Sequence, residues 1–340
     1  MVHIEPIPAV HTAKIKAMRF HSRLDEAFRW RKTGDFSRVG RVEPQTRTKI
    51  RPASWIALLK PRVMSLVVFT ALVGMLVAPQ RLDWHTALVA ILCIAAGAGG
   101  AGALNMWWDA DVDALMRRTA HRPIPRGEVS SSQALSLGLP LAVASVAILG
   151  SAVNVAAAVL LAFTIFFYAV VYTMVLKRST PQNIVIGGAA WAFPPVIGWL
   201  ATGANFALEP LSLFLIIFLW TPPHFWSLAL NRTDEYAKAG IPMLPVVAGR
   251  AETKRQILLY SLLLVMASTL PWALGNARTL YGASMVIFDA LFIAMTVRLF
   301  KKSTDDGNRA AQALFAFSII YLFALFGMLL CDARLFNSGD

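Results

Sequence analysis

Residues 84–113 read WHTALVAILCIAAGAGGAGALNMWWDADVD. The first 25 of them contain no Asp, Glu, Lys or Arg, and as a helix they would extend about 37 Å, longer than the hydrocarbon layer of a bilayer is thick. That stretch predicts a transmembrane helix over 84–104. The residues after it are of another kind. Asn105, Asp109 and Asp113 stand four apart, and on a helix such positions drift by only about 40° per step, so three oxygen-bearing side chains share one face.

The same alternation of apolar run and polar hinge continues in both directions. Further spans are predicted at 63–80, 133–153, 155–176, 183–203, 208–230, 256–275, 279–297 and 311–331, which makes the chain an all-α polytopic membrane protein with nine transmembrane helices. Its composition agrees, with 57% hydrophobic and 15% charged residues in 340. Soluble globular, collagen-like, disulfide-rich and wholly disordered classes are excluded. Cys93 and Cys331 sit in separate apolar stretches and are expected to be two buried thiols.

The net charge of +13 suggests nucleic acid only until it is located. With the N-terminus in the cytoplasm, 29 of the 32 Lys and Arg residues fall on the cytoplasmic side, leaving Arg81, Arg278 and Arg334 opposite. That asymmetry is the signature of a membrane protein's orientation, and no nucleic acid partner is expected. Residues 1–53 read as a basic arm, disordered or lying on the membrane surface, with an amphipathic helix possible over 15–31. Residues 54–332 form the helical domain and 333–340 a short tail.

Acids collect in two cytoplasmic loops, after spans 2 and 6. In the first, the Asn105, Asp109, Asp113 ladder offers hard oxygen ligands suited to Mg2+, which takes one or two carboxylates and completes its shell with water and phosphate oxygens. Arg117 and Arg118 come next in the chain. In the second, the apolar span ends in Pro222-Pro223-His224-Phe225-Trp226, then Asn231-Arg232-Thr233-Asp234-Glu235-Tyr236. Asp234 and Glu235 are about 100° apart on a helix, so one of them at most points straight into a shared site. Two acidic helix ends over one cavity could hold metals bridging a diphosphate.

Asn105-x3-Asp109-x3-Asp113 followed by Arg117, Arg118, Thr119, Arg122 and Pro123 resembles the first aspartate-rich motif of the UbiA-type intramembrane prenyltransferases. Four strings are similar to the branch of that family that farnesylates protohaem IX: Leu58-Leu-Lys60-Pro61-Arg62-Val-Met, Thr180-Pro-Gln-Asn183-Ile-Val-Ile-Gly187-Gly188, Pro222-Pro223-His224-Phe225-Trp226 and Ala239-Gly240-Ile-Pro242-Met-Leu-Pro245. Together they cover roughly residues 55–250. Most relatives carry two aspartates four apart in the second motif, where this chain has Asn231-x3-Glu235.

The resemblance implies nine helices around a lipid-open cavity, with Mg2+ and farnesyl diphosphate at its cytoplasmic mouth in a bacterial plasma membrane or the mitochondrial inner membrane. The implied reaction alkylates a vinyl group of protohaem IX, adds water, and releases haem O and diphosphate, and a haem A-forming enzyme could take the product. Asn105, Asp109, Asp113 and Glu235 are then the catalytic candidates, with Asp234 a further metal ligand. Substrate-binding candidates are Lys60, Arg62, Arg117, Arg118, Arg122, Asn183, His224, Asn231, Arg232, Asp234 and Tyr236.

An allylic cation left by departing diphosphate needs a dry pocket with aromatic faces. Trp107, Trp108, Phe166, Phe167, Tyr168 and Tyr172 are candidates by position. His224 lies in an apolar span after two prolines that should distort the helix, and imidazole is a familiar axial ligand of haem iron. Lys60 and Arg62 could meet propionates or phosphates, whereas Lys177 and Arg178 read as cytoplasmic anchors. A polytopic transporter is the competing class, and a quinone precursor or chlorophyllide-like molecule the competing acceptor.

Overall fold

The computed structural model describes residues 51–302 and 304–336, so the arm with its helix over 15–31, and the last four residues of the tail, lie outside the described residues. Among the described residues every regular element is helical. Helices α1 (Pro52–Leu58) and α2 (Pro61–Val77) form a pair bent by 50°. Then come α3 (Trp84–Trp108), α4 (Ala110–Leu115), α5 (Ser131–Ala152) and α6 (Val155–Phe166), the last running on as a π-helix over Phe167–Leu176. The next span is built of three pieces, α7 (Asn183–Gly187), α8 (Ala189–Ala192) and α9 (Pro194–Ala201). The chain closes with α10 (Leu208–Leu230), α11 (Thr233–Lys238), α12 (Leu244–Val247), α13 (Gly249–Ser268), α14 (Leu270–Ala273), α15 (Thr279–Lys301) and α16 (Thr304–Phe336).

Eight helices among the described residues are long and apolar enough to cross a membrane, and up to nine spans result if the bent α1–α2 pair counts as one. Large apolar side chains such as Val143, Val159, Phe163, Leu262, Met266 and Ile287 are exposed on the outside of the bundle. In water they would be a liability, and in lipid they cost nothing. The molecule is a multi-pass membrane protein.

Helices reach past the predicted spans at the face bearing the acid-rich loops. There α3 continues to Trp108, α13 begins at Gly249 and α15 ends at Lys301, because backbone hydrogen bonding need not stop where the hydrocarbon does. Within the bundle, α2 and α9 meet backbone to backbone. A Cβ on Gly198 would stand 1.9 Å from the Ala71 carbonyl oxygen, and one on Gly74 would stand 2.1 Å from that of Pro195. Lacking a hydrophobic drive between helices in lipid, such close approach supplies the packing.

Pro222 and Pro223 lie inside α10, which runs on to Leu230 and is buried along most of its length. Neighbouring helices hold it in place, and Thr221 Oγ1 donates to the Ile217 carbonyl at 2.7 Å, where membrane helices tolerate proline through such local bonds. Cys93 is buried as expected, but Cys331 is exposed near the end of α16.

Candidate active site

The Asn105, Asp109, Asp113 register survives a break in the helix. Asp109 caps α3 in a non-helical conformation and α4 restarts at Ala110, yet Asp109 N–H still donates to the Asn105 carbonyl (3.0 Å) and Asp113 N–H to that of Asp109 (2.8 Å). All three side chains are buried, with residue exposures of 4%, 0% and 2%. Asp111, off that face, is exposed.

Buried carboxylates require partners, and here cations from other segments supply them. Lys177 Nζ donates to Asp109 Oδ2, Arg178 Nη2 approaches Asp109 Oδ1 at 3.4 Å, and Arg122 Nη1 donates to Asp113 Oδ2 at 2.5 Å. Lys60 Nζ donates to Asn105 Oδ1, and Asn105 Nδ2 donates to Asp109 Oδ2 at 2.8 Å and to Thr173 Oγ1 at 3.1 Å. Arg178 also clasps Asp111 with two bonds of 2.8 Å. Partial desolvation by the surrounding protein would by itself raise the half-exposed Asp111 carboxyl, but the Arg178 guanidinium outweighs it and holds the group below the usual carboxylate range.

Lys177 and Arg178 are therefore not mere membrane anchors, which corrects the reading of their position at the end of a span. Lys60 reaches the site through an unusual backbone: it lies in the left-handed region (φ 51°, ψ 53°) at the hinge between α1 and α2. A lysine there is strained, and the hinge turns its amine inward onto Asn105. Arg62, one residue into α2, is exposed, as are Arg117 and Arg118.

The second loop places its residues less symmetrically. Asp234 is exposed on α11, while Glu235 is partly buried, accepts from Arg232 Nη1 at 3.1 Å through Oε1, and keeps Oε2 buried without a hydrogen-bond partner. Asn231 is exposed and donates to the Ser227 carbonyl. Tyr236 is buried and its phenol is pushed up by burial, with Arg118 and Arg232 close enough to pull it part of the way back. Val112 and Met116 of the first loop share one buried apolar cluster with Tyr236, Ile241 and Met243 of the second. The two acid-rich loops thus pack on one apolar cluster. Asn183 is fully buried at the start of α7, its Nδ2 bonded to the Thr180 carbonyl and its Oδ1 unpartnered.

Beneath this charged mouth the lining turns aromatic. Tyr168 stacks on Tyr172 (5.6 Å, 25°) and meets Trp191 edge-on (5.5 Å, 84°), Trp191 meets Phe225 (6.2 Å), and Phe225 meets His224 (5.1 Å, 86°). Tyr168 and Trp191 also line an apolar cavity of about 50 Å³ with Met64, Ala101, Leu161 and Ile197. Lys60 links the two zones, since its amine lies 3.5 Å from the Tyr168 hydroxyl.

Of the six aromatics that are candidates by position, Tyr168 and Tyr172 face this region, whereas Phe166 is exposed and Phe167 packs on Phe163. The π-helix makes the difference. Its wider turn lets Thr173 Oγ1 donate to the Tyr168 carbonyl five residues back (2.8 Å), and such turns recur at functional sites. Tyr172 fits because residue 187 is glycine: a Cβ there would come within 2.2 Å of its ring. Thr173, Trp191 and Phe225 are not among the residues the sequence points to, although Phe225 lies in the Pro222–Trp226 string.

A larger cavity of about 480 Å³ opens at the opposite end of the bundle among Gln80, Arg81, Asn205, Glu209 and Arg278. No predicted site residue lines it. Asp332 there accepts from the N–H of Leu280 at 3.1 Å and from that of Arg278, capping α15.

Comparison with known proteins agrees with the geometry. The chain is 60% identical over 279 residues to a protein named Protoheme IX farnesyltransferase from Afipia carboxidovorans, covering 82% of this chain and 89% of that one. It is 54% identical over 299 residues to one of the same name from Rhodopseudomonas palustris, covering 88% and 95%. Among solved structures, a digeranylgeranylglyceryl phosphate synthase superposes with a TM-score of 0.69 at 18% identity (83% and 98% covered). A UbiA homologue from Archaeoglobus fulgidus, described as bound to DMAPP and Mg2+, gives 0.57 at 17% (81% and 99%). These last two establish the helical fold. With the UbiA prenyltransferase family model matching residues 67–330, the chain belongs to that family and is a membrane prenyltransferase, not a transporter.

Proposed function

We infer that the enzyme transfers a farnesyl group from farnesyl diphosphate to a vinyl group of protohaem IX, with addition of water, giving haem O and diphosphate. One observation carries the prenyl half: Lys60 joins a buried, cation-ringed acid ladder to the aromatic wall of an apolar cavity. A substrate with an anionic head and an apolar tail suits that junction. The acceptor half is supported by relatives of 54–60% identity that carry the name Protoheme IX farnesyltransferase.

The donor set fits Mg2+. Asn105, Asp109 and Asp113 are hard oxygen ligands buried on one face, and Glu235 Oε2 is a buried anionic oxygen without a partner. Among the described residues no three acids, His or Cys converge on one point; the ladder contributes two acids and an amide, and each acid is held by a cation. Asn105, Asp109, Asp113 and Glu235 would hold the ion, with Asp234 too exposed to be the inner ligand of the second motif. Bound there, Mg2+ supplies charge neutralisation to the leaving diphosphate.

The residues of the chain do the rest. Lys60 turns from Asn105, and Lys177, Arg178 and Arg122 from the ladder acids, toward the diphosphate oxygens, stabilising the negative charge that grows as the C1–O bond breaks and its electron pair leaves with diphosphate. The π faces of Tyr168, Trp191 and Phe225 shelter the allylic cation from water. The vinyl π electrons then bond to C1, the new cation beside the porphyrin takes up water, and a proton is lost. The cavity is smaller than a C15 chain, so the chain enters by displacing side chains around Tyr168 and Trp191. The positive charge asymmetry supports a cytoplasmic mouth, and the released haem O would pass to an enzyme that forms haem A. Turnover in 18O-water is expected to put 18O in the new hydroxyl of the product, read by mass spectrometry. A prenylated haem without 18O would remove water addition from the mechanism.

A further inference from the structure

His224 is held on all but one edge. Its ring is stacked between Trp220 (4.3 Å, 18°) and Phe315 (4.6 Å, 28°), and Nδ1 lies 2.7 Å from Ser318 Oγ. Ser318 sits on α16 and ties itself to α10 a second time, its carbonyl accepting from Trp220 Nε1 at 2.8 Å. A serine hydroxyl has one proton. Ser318 Oγ stands 2.6 Å from the Phe315 carbonyl oxygen, and two oxygens that close repel unless that proton lies between them. The hydroxyl therefore donates to Phe315 and can only accept from the imidazole.

We propose that Ser318 is a positioning residue that holds His224 as the Nδ1–H tautomer, so that Nε2 presents a lone pair to the iron of the haem substrate. This rests on the haem reading of the acceptor and deepens it. Among the described residues Nε2 has no hydrogen-bond partner, and the residue keeps 8% of its surface. The neighbouring Phe225, edge-on to His224, belongs to the aromatic wall that leads back to Tyr168 and the charged mouth, so the imidazole adjoins the wall along which an acceptor and the prenyl chain would meet. A ring whose second nitrogen donates to a fixed acceptor is the usual arrangement of a metal-ligating histidine, and losing such an acceptor costs about 10–100-fold in affinity.

The test uses full-length protein in lipid nanodiscs with 15N-labelled histidine, and His224→Gln to assign the resonance. Haem-free wild type should show protonated Nδ1 and unprotonated Nε2. Ser318→Thr, which keeps the hydroxyl, should match it, whereas Ser318→Ala should shift toward protonated Nε2. In optical titrations with protohaem IX, Ser318→Ala should lose about 10–100-fold in affinity along with the nitrogen-ligated iron spectrum, while the KM for farnesyl diphosphate stays put. A protonated Nε2 in a wild type that binds haem, or an unchanged haem spectrum and affinity in Ser318→Ala, overturns the proposal alone. Nδ1–H in a wild type that binds no haem overturns both the iron ligation and the haem reading on which it rests.

Discussion

Asp109→Asn is expected to lower turnover by about 10²–10³-fold at saturating Mg2+, the scale of removing one preorganised group from a developing charge. Asp109 is fully buried and accepts from Asn105, Lys177 and Arg178. The amide is nearly isosteric, so packing survives while a carboxylate charge is lost and Lys177 loses its counter-charge. Because the charge on diphosphate grows toward the transition state, the loss should fall on kcat more than on KM. Radiolabelled farnesyl diphosphate turnover, normalised to folded protein in the membrane, provides the measurement. Wild-type turnover would remove Asp109 from the site.

Lys177→Met should cost about 10–100-fold in turnover, less than Asp109→Asn because Arg178 and Arg122 remain to neutralise the phosphates. The substitution keeps an unbranched chain of similar length and deletes only the charge. It also leaves Asp109 with the more distant Arg178 as its remaining cation, and breaking a buried pair from one side is costly, so a drop in thermal stability should accompany the kinetic defect. Raising farnesyl diphosphate should recover part of the activity if the lysine also binds ground-state phosphate. Were Lys177 only a membrane anchor, turnover and stability would both match wild type.

Most of the span pattern was legible because it depends on local composition. Runs such as 84–108 must be helical in lipid, since no other local structure satisfies their backbone. The acid ladder was legible too, because four-residue spacing survives the cap at Asp109 through its i→i−4 bonds. What stayed hidden depends on contacts across the chain. Lys177 and Arg178 look like any charged end of a span until the π-turn after Phe166 rotates them over Asp109. Nothing at Lys60 announces a left-handed residue, and nothing at Ser318 announces a partner 94 residues away. The difference in exposure between Asp234 and Glu235 depends on the tertiary placement of α11, which exposes the first and partly buries the second.

The most direct measurement offers purified enzyme, in nanodiscs with Mg2+, tritiated farnesyl diphosphate and equal concentrations of protohaem IX and a quinone precursor. The label should appear in a haem product heavier by one farnesyl and one hydroxyl group, with one diphosphate released per product. Label found in the quinone precursor, with protohaem IX recovered unchanged, would contradict the haem assignment.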